Sequence, residues 1–290
     1  LPILQMVLLG AEPGRLRLTA TDAELAMTTA ITAEVASEGR VAIPARLLGE
    51  YVAHLPAEPV RLSFDPERHR VRAACGPFVA KLATADPEEF PAFPTTDDRS
   101  SVNLEAGRLR TAVERVAFAA ARDESRPVLS AVLFDFGPEG LTLAAADGFR
   151  LARARIVEAT AAAQQLLVPA RAMGEFARLL AEAEAARLLW APDGRGVALV
   201  VGETVLYTRL IEGNFPDVER VIPRDGQTRV TVQTAALRQA VRVAGLFGSG
   251  EARPVLLEAA PGRLRLQARG AETGEAETEL AAALEGEPRA

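Results

Sequence analysis

The sequence predicts an α+β fold made of tandem copies of one domain, each with two helices packed on antiparallel sheets. A short motif occurs three times: RPVL at 126–129 matches LPIL at 1–4, 125 residues earlier, and RPVL at 253–256, 127 residues later. The tripeptide PAR at 44–46 recurs at 169–171, again 125 residues further on. A constant spacing of this size indicates repeated domains and not a solenoid, whose period is about 20 to 50 residues.

The repeat places the three copies at 1–98, 99–225 and 226–290. A segment at 102–125 opens the second copy and has no counterpart ahead of the first. The third copy stops before a second helix could follow. We therefore expect this chain to be part of a longer one, in which copy one also has an N-terminal helix and copy three a C-terminal half.

Copy one is predicted to consist of strands around one helix. Apolar and polar residues alternate along its strands, and Pro44 stands where the start of a helix favours proline. The stretch 86–98 is rich in proline and acidic residues, which is typical of a linker. The predicted elements are strands at 3–9, 16–20, 25–35, 60–64, 69–73 and 78–84 and a helix at 45–54.

Copy two has two predicted helices, at 104–121 and 169–183. The first is predicted from apolar residues at helical spacing, and the second again begins at a proline. The apolar face of the first helix consists of Leu109, Ala112, Val113, Val116 and Ala120. The predicted strands are 128–136, 141–145, 150–157, 186–190, 197–201 and 204–211.

Copy three has one predicted helix, at 234–246, and strands at 254–258, 264–268 and 275–280. Its acidic tail, 272–287, would be a sheet edge whose pairing strands are absent. We therefore expect this tail to be poorly ordered.

Composition limits the possible protein classes. The 290 residues are 49% hydrophobic, enough for more than one core, and no apolar run is long enough to cross a bilayer. A single cysteine excludes an internal disulfide framework and fits a cytoplasmic protein. The net charge of −6 argues against a protein whose whole surface attracts nucleic acid.

The arginines nevertheless recur at related positions on the predicted helices. They can be ordinary solvated charges paired with neighbours such as Glu114 and Glu175. Their recurrence on every predicted helix of an acidic chain favours the other interpretation, a shared basic surface that contacts phosphates without reading bases. These arginines are Arg46 in copy one, Arg108, Arg115, Arg122, Arg171 and Arg178 in copy two, and Arg238 and Arg242 in copy three.

An enzyme would need a cluster of catalytic groups, and the sequence offers little for one. The two histidines, His54 and His69, are not at ligand spacing with a cysteine or carboxylate. Asp22 and Asp147 are repeated acids and could serve a metal-dependent enzyme acting on nucleic acid. Because aspartate is a common turn former, we expect each to cap a turn instead. We expect no cofactor and no metal.

Several strings resemble the bacterial DNA polymerase III beta subunits, the sliding clamps. They are DESRPVLSAVLF, LAAADGFRLA, IPARLLGEYVAHLP, VPARAMGEFARLL and LIEGNFPDVERVIP, and the resemblance extends over essentially the whole chain. It implies the DNA clamp fold and a non-catalytic subunit of the holoenzyme that acts as a processivity factor. In such proteins two chains pair head to tail into a ring around duplex DNA, with helices lining the hole.

The resemblance also implies which residues meet DNA and the partner proteins. The expected DNA-facing residues are Arg46, Arg110, Arg122, Arg171, Arg178 and Arg238. Short motifs of the polymerase III alpha subunit and the clamp loader would bind a pocket formed by Leu129, Ala146, Gly148, Phe149, Arg150, Leu151, Pro216, Arg220 and Val221. The family often has threonine at position 146 and histidine at position 149, so we expect a different peptide preference here.

The resemblance further implies that a homodimer closes the ring through Tyr51, Leu55 and Phe78 on copy one and Leu246 and Phe247 on copy three. Leu55 and Phe78 can equally be ordinary core residues. We expect the 290-residue chain alone not to form a stable ring. A peptide-binding interaction protein that does not enclose DNA remains the other alternative.

Overall fold

A computed structural model of the protein describes residues 2–94, 101–123, 125–157, 163–191, 193–223, 225–247, 254–270 and 274–289. The chain divides into two compact units, Leu1–Pro216 and Asp217–Ala290. Within the described ranges, none of the helices combines the length and the apolar character that crossing a lipid bilayer requires.

The described residues of copy one form mainly strands, with one α-helix. A 3₁₀ turn, Pro2–Gln5, comes first, where the sequence had predicted the start of a strand. The helix carries no fully buried residue, so it lies at the surface. The elements are β1 (Met6–Glu12), β2 (Arg15–Thr21), β3 (Leu25–Thr32), β4 (Gly39–Pro44), α1 (Ala45–Ala53), β5 (Arg61–Asp65), β6 (Arg70–Cys75), β7 (Phe78–Ala83) and a 3₁₀ turn at Pro87–Glu89.

The described residues of copy two up to Pro216 form two α-helices. The predicted apolar face is confirmed, because all five of its residues are buried in one core with Phe134, Phe136 and Phe176. Three further 3₁₀ turns extend or precede the helices, at Ala117–Ala119, Ala170–Ala172 and Leu180–Glu182, and a fourth lies at Pro127–Ser130. The elements are β8 (Ser101–Glu105), α2 (Ala106–Val116), β9 (Ala131–Gly137), β10 (Gly140–Ala146), β11 (Leu151–Ile156), β12 (Gln164–Pro169), α3 (Met173–Leu179), β13 (Ala185–Trp190), β14 (Gly196–Val201) and β15 (Thr204–Arg209).

The first two copies share one antiparallel sheet of eight strands, ordered β4-β1-β2-β3-β15-β14-β13-β8. The two copies meet where β3 pairs with β15, with Ala26 opposite Tyr207 and Thr28 opposite Val205. A hydrogen bond of 2.8 Å between the hydroxyls of Thr29 and Thr204 adds to this junction. The remaining strands form a four-stranded sheet, β11-β10-β9-β12, and a three-stranded sheet, β5-β6-β7.

The second unit has its own four-stranded sheet, ordered β16-β19-β18-β17. Ala240 of its longer helix is buried in a core that includes Leu264 and Leu266, and Ala244 of the same helix is also buried. The elements are α4 (Val218–Val221), β16 (Thr228–Val232), α5 (Thr234–Ala244), β17 (Leu256–Ala260), β18 (Arg263–Gly270) and β19 (Gly274–Gly286).

The prediction for the acidic tail was wrong. Of its residues, 274–286 form β19, which pairs with β18 along Ala281 to Gly274 and with β16 through Ala282 to Gly286. Each residue from 274 to 286 is thus paired with one neighbouring strand, which places the tail in a regular sheet. Residues 272 and 273 lie outside the described residues. The α+β class with helices on antiparallel sheets is confirmed.

Candidate functional sites

Exposed arginines occur on each of the four longer helices. The side chain of Arg46 on α1 is 91% exposed and pairs with Glu50 at 2.7 Å. On α2, Arg110 pairs with Glu114 at 2.9 Å, and on α3, Arg178 pairs with Glu175 at 3.0 Å. Exposed pairs of this kind contribute only about 0 to 1 kcal/mol, so each guanidinium can exchange its carboxylate for another anion.

Three of the recurring arginines of copy two, Arg108, Arg115 and Arg122, do not all lie on one helix. The helix α2 ends at Val116, and Arg122 lies beyond the following 3₁₀ turn in an exposed bend. Arg108 pairs with Glu105 at 2.6 Å, at the N-terminal end of the helix. The helical register therefore does not place Arg122 in line with Arg108 and Arg115.

Arg171 has a different environment from the other arginines. It lies in the 3₁₀ turn Ala170–Ala172, and its guanidinium contacts Asp22 at 3.7 Å and forms an ion pair with Glu24. These carboxylates belong to the turn between β2 and β3 of copy one. Arg171 thus links the first two copies, a role that its position in a repeated motif did not reveal.

In the second unit, Arg238 and Arg242 lie one turn apart on α5, and both are exposed. Together with Thr234, Ala235 and Gln239 they line a shallow groove along the helix. Two guanidiniums, a hydroxyl and an amide on one face provide several hydrogen-bond donors for phosphate oxygens.

The turn between β10 and β11 is held by Asp147. Its Oδ1 accepts hydrogen bonds from the backbone N–H groups of Phe149 and Arg150, both at 2.9 Å, and its Oδ2 pairs with the Arg150 guanidinium at 2.9 Å. The two backbone hydrogen bonds lower the pKa of Asp147. Gly148 adopts φ +92°, a conformation that favours glycine.

This turn leaves Phe149 99% exposed, which is unusual for a large apolar side chain. The Arg150 guanidinium lies 5.7 Å from the ring centre of Phe118, which is itself 62% exposed. Phe118 was missed by the sequence prediction. Its only signal was an aromatic residue in an alanine-rich segment at the end of α2. Phe118 and Arg150 thus combine an exposed ring with a cation, and the exposed Phe149 is the sequence neighbour of Arg150.

The other residues predicted for the peptide pocket lie in both units. In the first unit, Leu129 lies in the 3₁₀ turn Pro127–Ser130, Ala146 ends β10 and Leu151 begins β11, and all three are half-buried. Pro216 is exposed at the end of that unit. In the second unit, α4 carries Arg220, which pairs with Asp217 at 3.0 Å, and Val221, which is 63% exposed.

The residues predicted for ring closure are at least partly accessible. In copy one, Phe78 is 48% exposed on β7, while Tyr51 and Leu55 are half-buried, and the Tyr51 hydroxyl donates to the carbonyl oxygen of Ala73 at 3.4 Å. In the second unit, Leu246 is 70% exposed just after α5, and Phe247 is half-buried.

Asp22 has the same structural role as Asp147. Its Oδ1 accepts from the backbone N–H groups of Glu24 at 2.9 Å and Leu25 at 2.7 Å. Burial alone would raise its pKa, but these hydrogen bonds and the charge of Arg171 lower it. Both aspartates cap turns, as predicted. Among the described residues no group of three or more His, Cys, Asp and Glu side chains is placed to hold a metal ion.

Comparison with known proteins gives a consistent result along the chain. Residues 1–94, 103–217 and 219–290 match the N-terminal, central and C-terminal domains of the DNA polymerase III beta subunit. The beta sliding clamp of Pseudomonas putida is 30% identical over 290 residues, which cover 99% of this chain and 78% of that protein. The beta sliding clamp homolog GriR of Streptomyces muensis is 30% identical over 289 residues, covering 99% of this chain and 76% of that protein.

A solved structure agrees with these sequence matches. The sliding clamp of Bartonella birtlesii bound to griselimycin is similar with a TM-score of 0.90 and 27% identity, covering 99% of this chain and 78% of that one. The matches to all three domains occur in order and over almost the whole sequence, which agrees with the sequence repeat. The chain belongs to the DNA polymerase III beta subunit family, the bacterial beta sliding clamps.

Proposed function

We propose that this protein works as a ring-forming DNA sliding clamp, a non-catalytic processivity factor that encloses duplex DNA and tethers the polymerase III alpha subunit and the clamp loader. The observation that carries the proposal is the presence of exposed arginines on α1, α2, α3 and α5 of a chain whose net charge is −6. An acidic exterior and an arginine-lined inner surface can coexist in a ring. The chain contributes three clamp domains, 1–98, 99–225 and 226–290, in the bacterial cytoplasm.

The local ion pairs of these arginines suit a protein that moves along DNA. A guanidinium whose charge is already partly compensated by a neighbouring carboxylate gains less from contact with a phosphate, so each contact is weak. Such contacts release counterions and weaken as salt rises, and they carry no base preference. Retention on DNA then depends on closure of the ring.

The decisive experiment measures retention on DNA. Full-length protein is loaded by a clamp loader onto nicked circular DNA, in moderately high salt to suppress simple phosphate binding, and retention is followed before and after one linearising cut. We expect the protein to stay on the circle and to leave after the cut. Equal retention on both forms would overturn the enclosure of DNA and favour an interaction protein without topological binding.

The DNA-facing arginines can be tested with a matched pair of variants. Arg178 is 75% exposed and pairs with Glu175 at 3.0 Å, while Arg229 on β16 is 78% exposed and pairs with Glu285 at 3.7 Å. We expect Arg178→Glu to reduce loading and clamp-dependent DNA synthesis, and Arg229→Glu, which makes the same charge change, to leave both near wild type. Equal effects of the two variants would mean that only total charge matters.

The peptide site can be tested through Phe149. A fluorescent peptide with the clamp-binding motif of the alpha subunit is titrated against the full-length protein. We expect Phe149→Ala to weaken binding by about tenfold, because loss of a buried aromatic anchor costs about 1 to 2 kcal/mol or more. Phe64→Ala, which removes a ring that is 49% exposed on β5, is the control. Unchanged binding with Phe149→Ala would remove this residue from the site.

The homodimer can be tested through Leu246. Replacing an apolar interface residue with aspartate places a charge in a desolvated contact, so Leu246→Asp should shift the full-length protein toward monomer in sedimentation. The control is Leu256→Asp, on β17 of the same unit, where Leu256 is 49% exposed. A dimer that withstands Leu246→Asp would exclude this residue from the contact.

A further inference from the structure

Among the residues of the proposed peptide site, Arg150 has an aromatic neighbour outside that set. Its guanidinium carbon, Cζ, lies over the ring of Phe118, 5.7 Å from the ring centre. A cation within about 6 Å of a ring centre is attracted by the electron-rich face of the ring. Phe118 thus contacts a residue assigned to partner binding, although Phe118 is not itself one of the residues assigned there.

The backbone that carries Phe118 is firmly held. Phe118 is the middle residue of the 3₁₀ turn Ala117–Ala119, which directly follows α2. Ala120, next to this turn, is buried, and the N–H of Ala121 donates a hydrogen bond of 2.8 Å to the carbonyl oxygen of Leu129, another residue of the peptide site. The ring nevertheless remains 62% exposed. A rigid backbone therefore presents, beside the peptide site, a ring that contributes little to the core.

Two contacts hold the Arg150 guanidinium at different points. Its Nε lies 2.9 Å from Oδ2 of Asp147, and its Cζ lies over the Phe118 ring. Of the five N–H donors of an arginine, Nε carries one and the two Nη groups carry the other four. The contact with Asp147 therefore occupies Nε, while the ring sets the direction of the Nη end of the guanidinium.

The charges around this turn do not fix Arg150 on their own. The Arg150 side chain is 50% exposed, and an exposed ion pair such as that with Asp147 holds a long side chain only weakly. A second cation stands close to the same turn, because Nη1 of Arg126 lies 3.4 Å from the position that an added Cβ would take on Gly148. Like charges repel, so Asp147 and Arg126 act on Arg150 in opposite senses. The Phe118 ring adds a contact whose geometry is fixed by the rigid turn.

We propose that Phe118 is a positioning residue of the partner-peptide site. It holds the Arg150 guanidinium in the orientation in which the Nη groups donate to a carbonyl or carboxylate oxygen of the bound segment. This inference rests on the peptide site proposed above. A donor that is already held in place loses less side-chain entropy when the partner binds, so the ring raises affinity through Arg150 without touching the partner.

The first test measures the affinity of full-length protein for the fluorescent peptide with the clamp-binding motif. Phe118→Leu keeps an apolar side chain but removes the aromatic face, so the Kd should rise about two- to fivefold. Phe118→Tyr keeps the face and should bind like wild type. Phe64→Leu, at a ring that is 49% exposed on β5, is the matched control and should leave affinity unchanged.

A double-mutant cycle separates positioning from direct contact. Because the ring acts through Arg150, Phe118→Leu should change the Kd no further once Arg150→Gln is present. An equal loss in both backgrounds would show that Phe118 contacts the peptide or acts through general stability. No loss with Phe118→Leu in the wild-type background, or a loss with Phe118→Tyr as large as that with Phe118→Leu, would also overturn the proposal.

A second measurement needs no peptide. In the free full-length protein, we expect the NMR signal of the Arg150 Nε–H to be shifted upfield by the ring current of Phe118. This shift should persist in Phe118→Tyr and be lost in Phe118→Leu, and an unchanged signal in Phe118→Leu would overturn the proposal. Failure of wild-type protein to bind the motif peptide would refute the peptide site itself, whereas wild-type binding that is insensitive to Phe118→Leu would refute only the role of Phe118.

Discussion

Three glycines next to hairpin turns allow the destabilisation caused by a glycine-to-alanine substitution to be predicted as the sum of conformational strain and steric collision. Gly140 begins β10 with φ +116°, and a Cβ there would lie 2.1 Å from the carbonyl oxygen of Ile156 and 2.9 Å from the backbone of Val157. Gly14, at the tip of the first hairpin, has φ +76° and nothing within 4 Å of an added Cβ. Gly137, the cross-strand partner of Gly140, has neither constraint.

Alanine at these three positions separates conformational strain from collision. In Gly14→Ala the left-handed backbone conformation destabilises the fold by about 1 to 2 kcal/mol. The stiffer unfolded chain offsets about 0.4 to 1 kcal/mol of this, so we expect the free energy of unfolding to fall by about 1 kcal/mol. Gly140→Ala adds a collision with backbone that cannot rotate away, at about 1 to 3 kcal/mol, which gives a total of about 3 kcal/mol or more. Gly137→Ala should be neutral or slightly stabilising.

The assay is urea unfolding followed by the fluorescence of Trp190, the only tryptophan of the chain. Its ring centre lies 5.4 Å from that of Phe136, the residue before Gly137, so it reports on the core beside the turn that contains Gly137 and Gly140. Far-UV circular dichroism should give the same transition, which checks that unfolding is two-state. A loss for Gly140→Ala within about 1 kcal/mol of that for Gly14→Ala would refute the close approach of Ile156.

Three smaller predictions concern copy one. The fold lowers the pKa of Asp22 below 3.8, so the ionised carboxylate stabilises the folded state at any pH above the pKa of the unfolded chain. This stabilisation is lost as the pH falls through the pKa of the folded state. The difference in urea midpoint between wild type and Asp22→Asn should therefore shrink between about pH 6 and pH 3, and a constant difference would contradict it. Ala23 has φ +79°, so Ala23→Gly should raise the melting temperature slightly, with a stabilisation of about 0.5 kcal/mol, and a lower melting temperature would contradict it. Cys75 is 1% exposed, so its thiol should react with a disulfide reagent only upon unfolding; fast labelling of the native protein would show that it is accessible.

Residue spacing along the sequence predicted those helices and strands whose formation depends mainly on neighbouring residues. The buried face of α2 followed from helical spacing, and most strands followed from alternation, with ends within a few residues of the prediction. The predicted strand starts at residues 3 and 128 were both wrong, because a 3₁₀ turn precedes the strand in each copy. In both copies a proline begins a 3₁₀ turn, Pro2–Gln5 and Pro127–Ser130, and in the second the Ser130 hydroxyl donates to the carbonyl oxygen of Pro127 at 2.8 Å.

Long-range pairing could not be predicted from the sequence. Residues 101–105 look like the approach to a helix, but they form β8 because β13, some 80 residues later, supplies its hydrogen bonds. The pairing of β3 with β15 joins two copies that the sequence describes as separate. The tail was mispredicted for a related reason, since residues 282–286 of β19 pair with β16, at least 50 residues earlier, while residues 274–281 pair with the adjacent strand β18.

The candidate sites show how one turn can acquire two roles in a duplicated chain. In both copies an aspartate accepts two backbone N–H groups, and this geometry directs the residue two positions later outward. In copy one that residue is Glu24, which pairs with Arg171 and so connects the copies. In copy two it is Phe149, whose ring is left in solvent. Repetition therefore preserved the backbone hydrogen bonds that form the turn, while a single side chain determines whether the turn connects domains or offers an apolar surface to a partner.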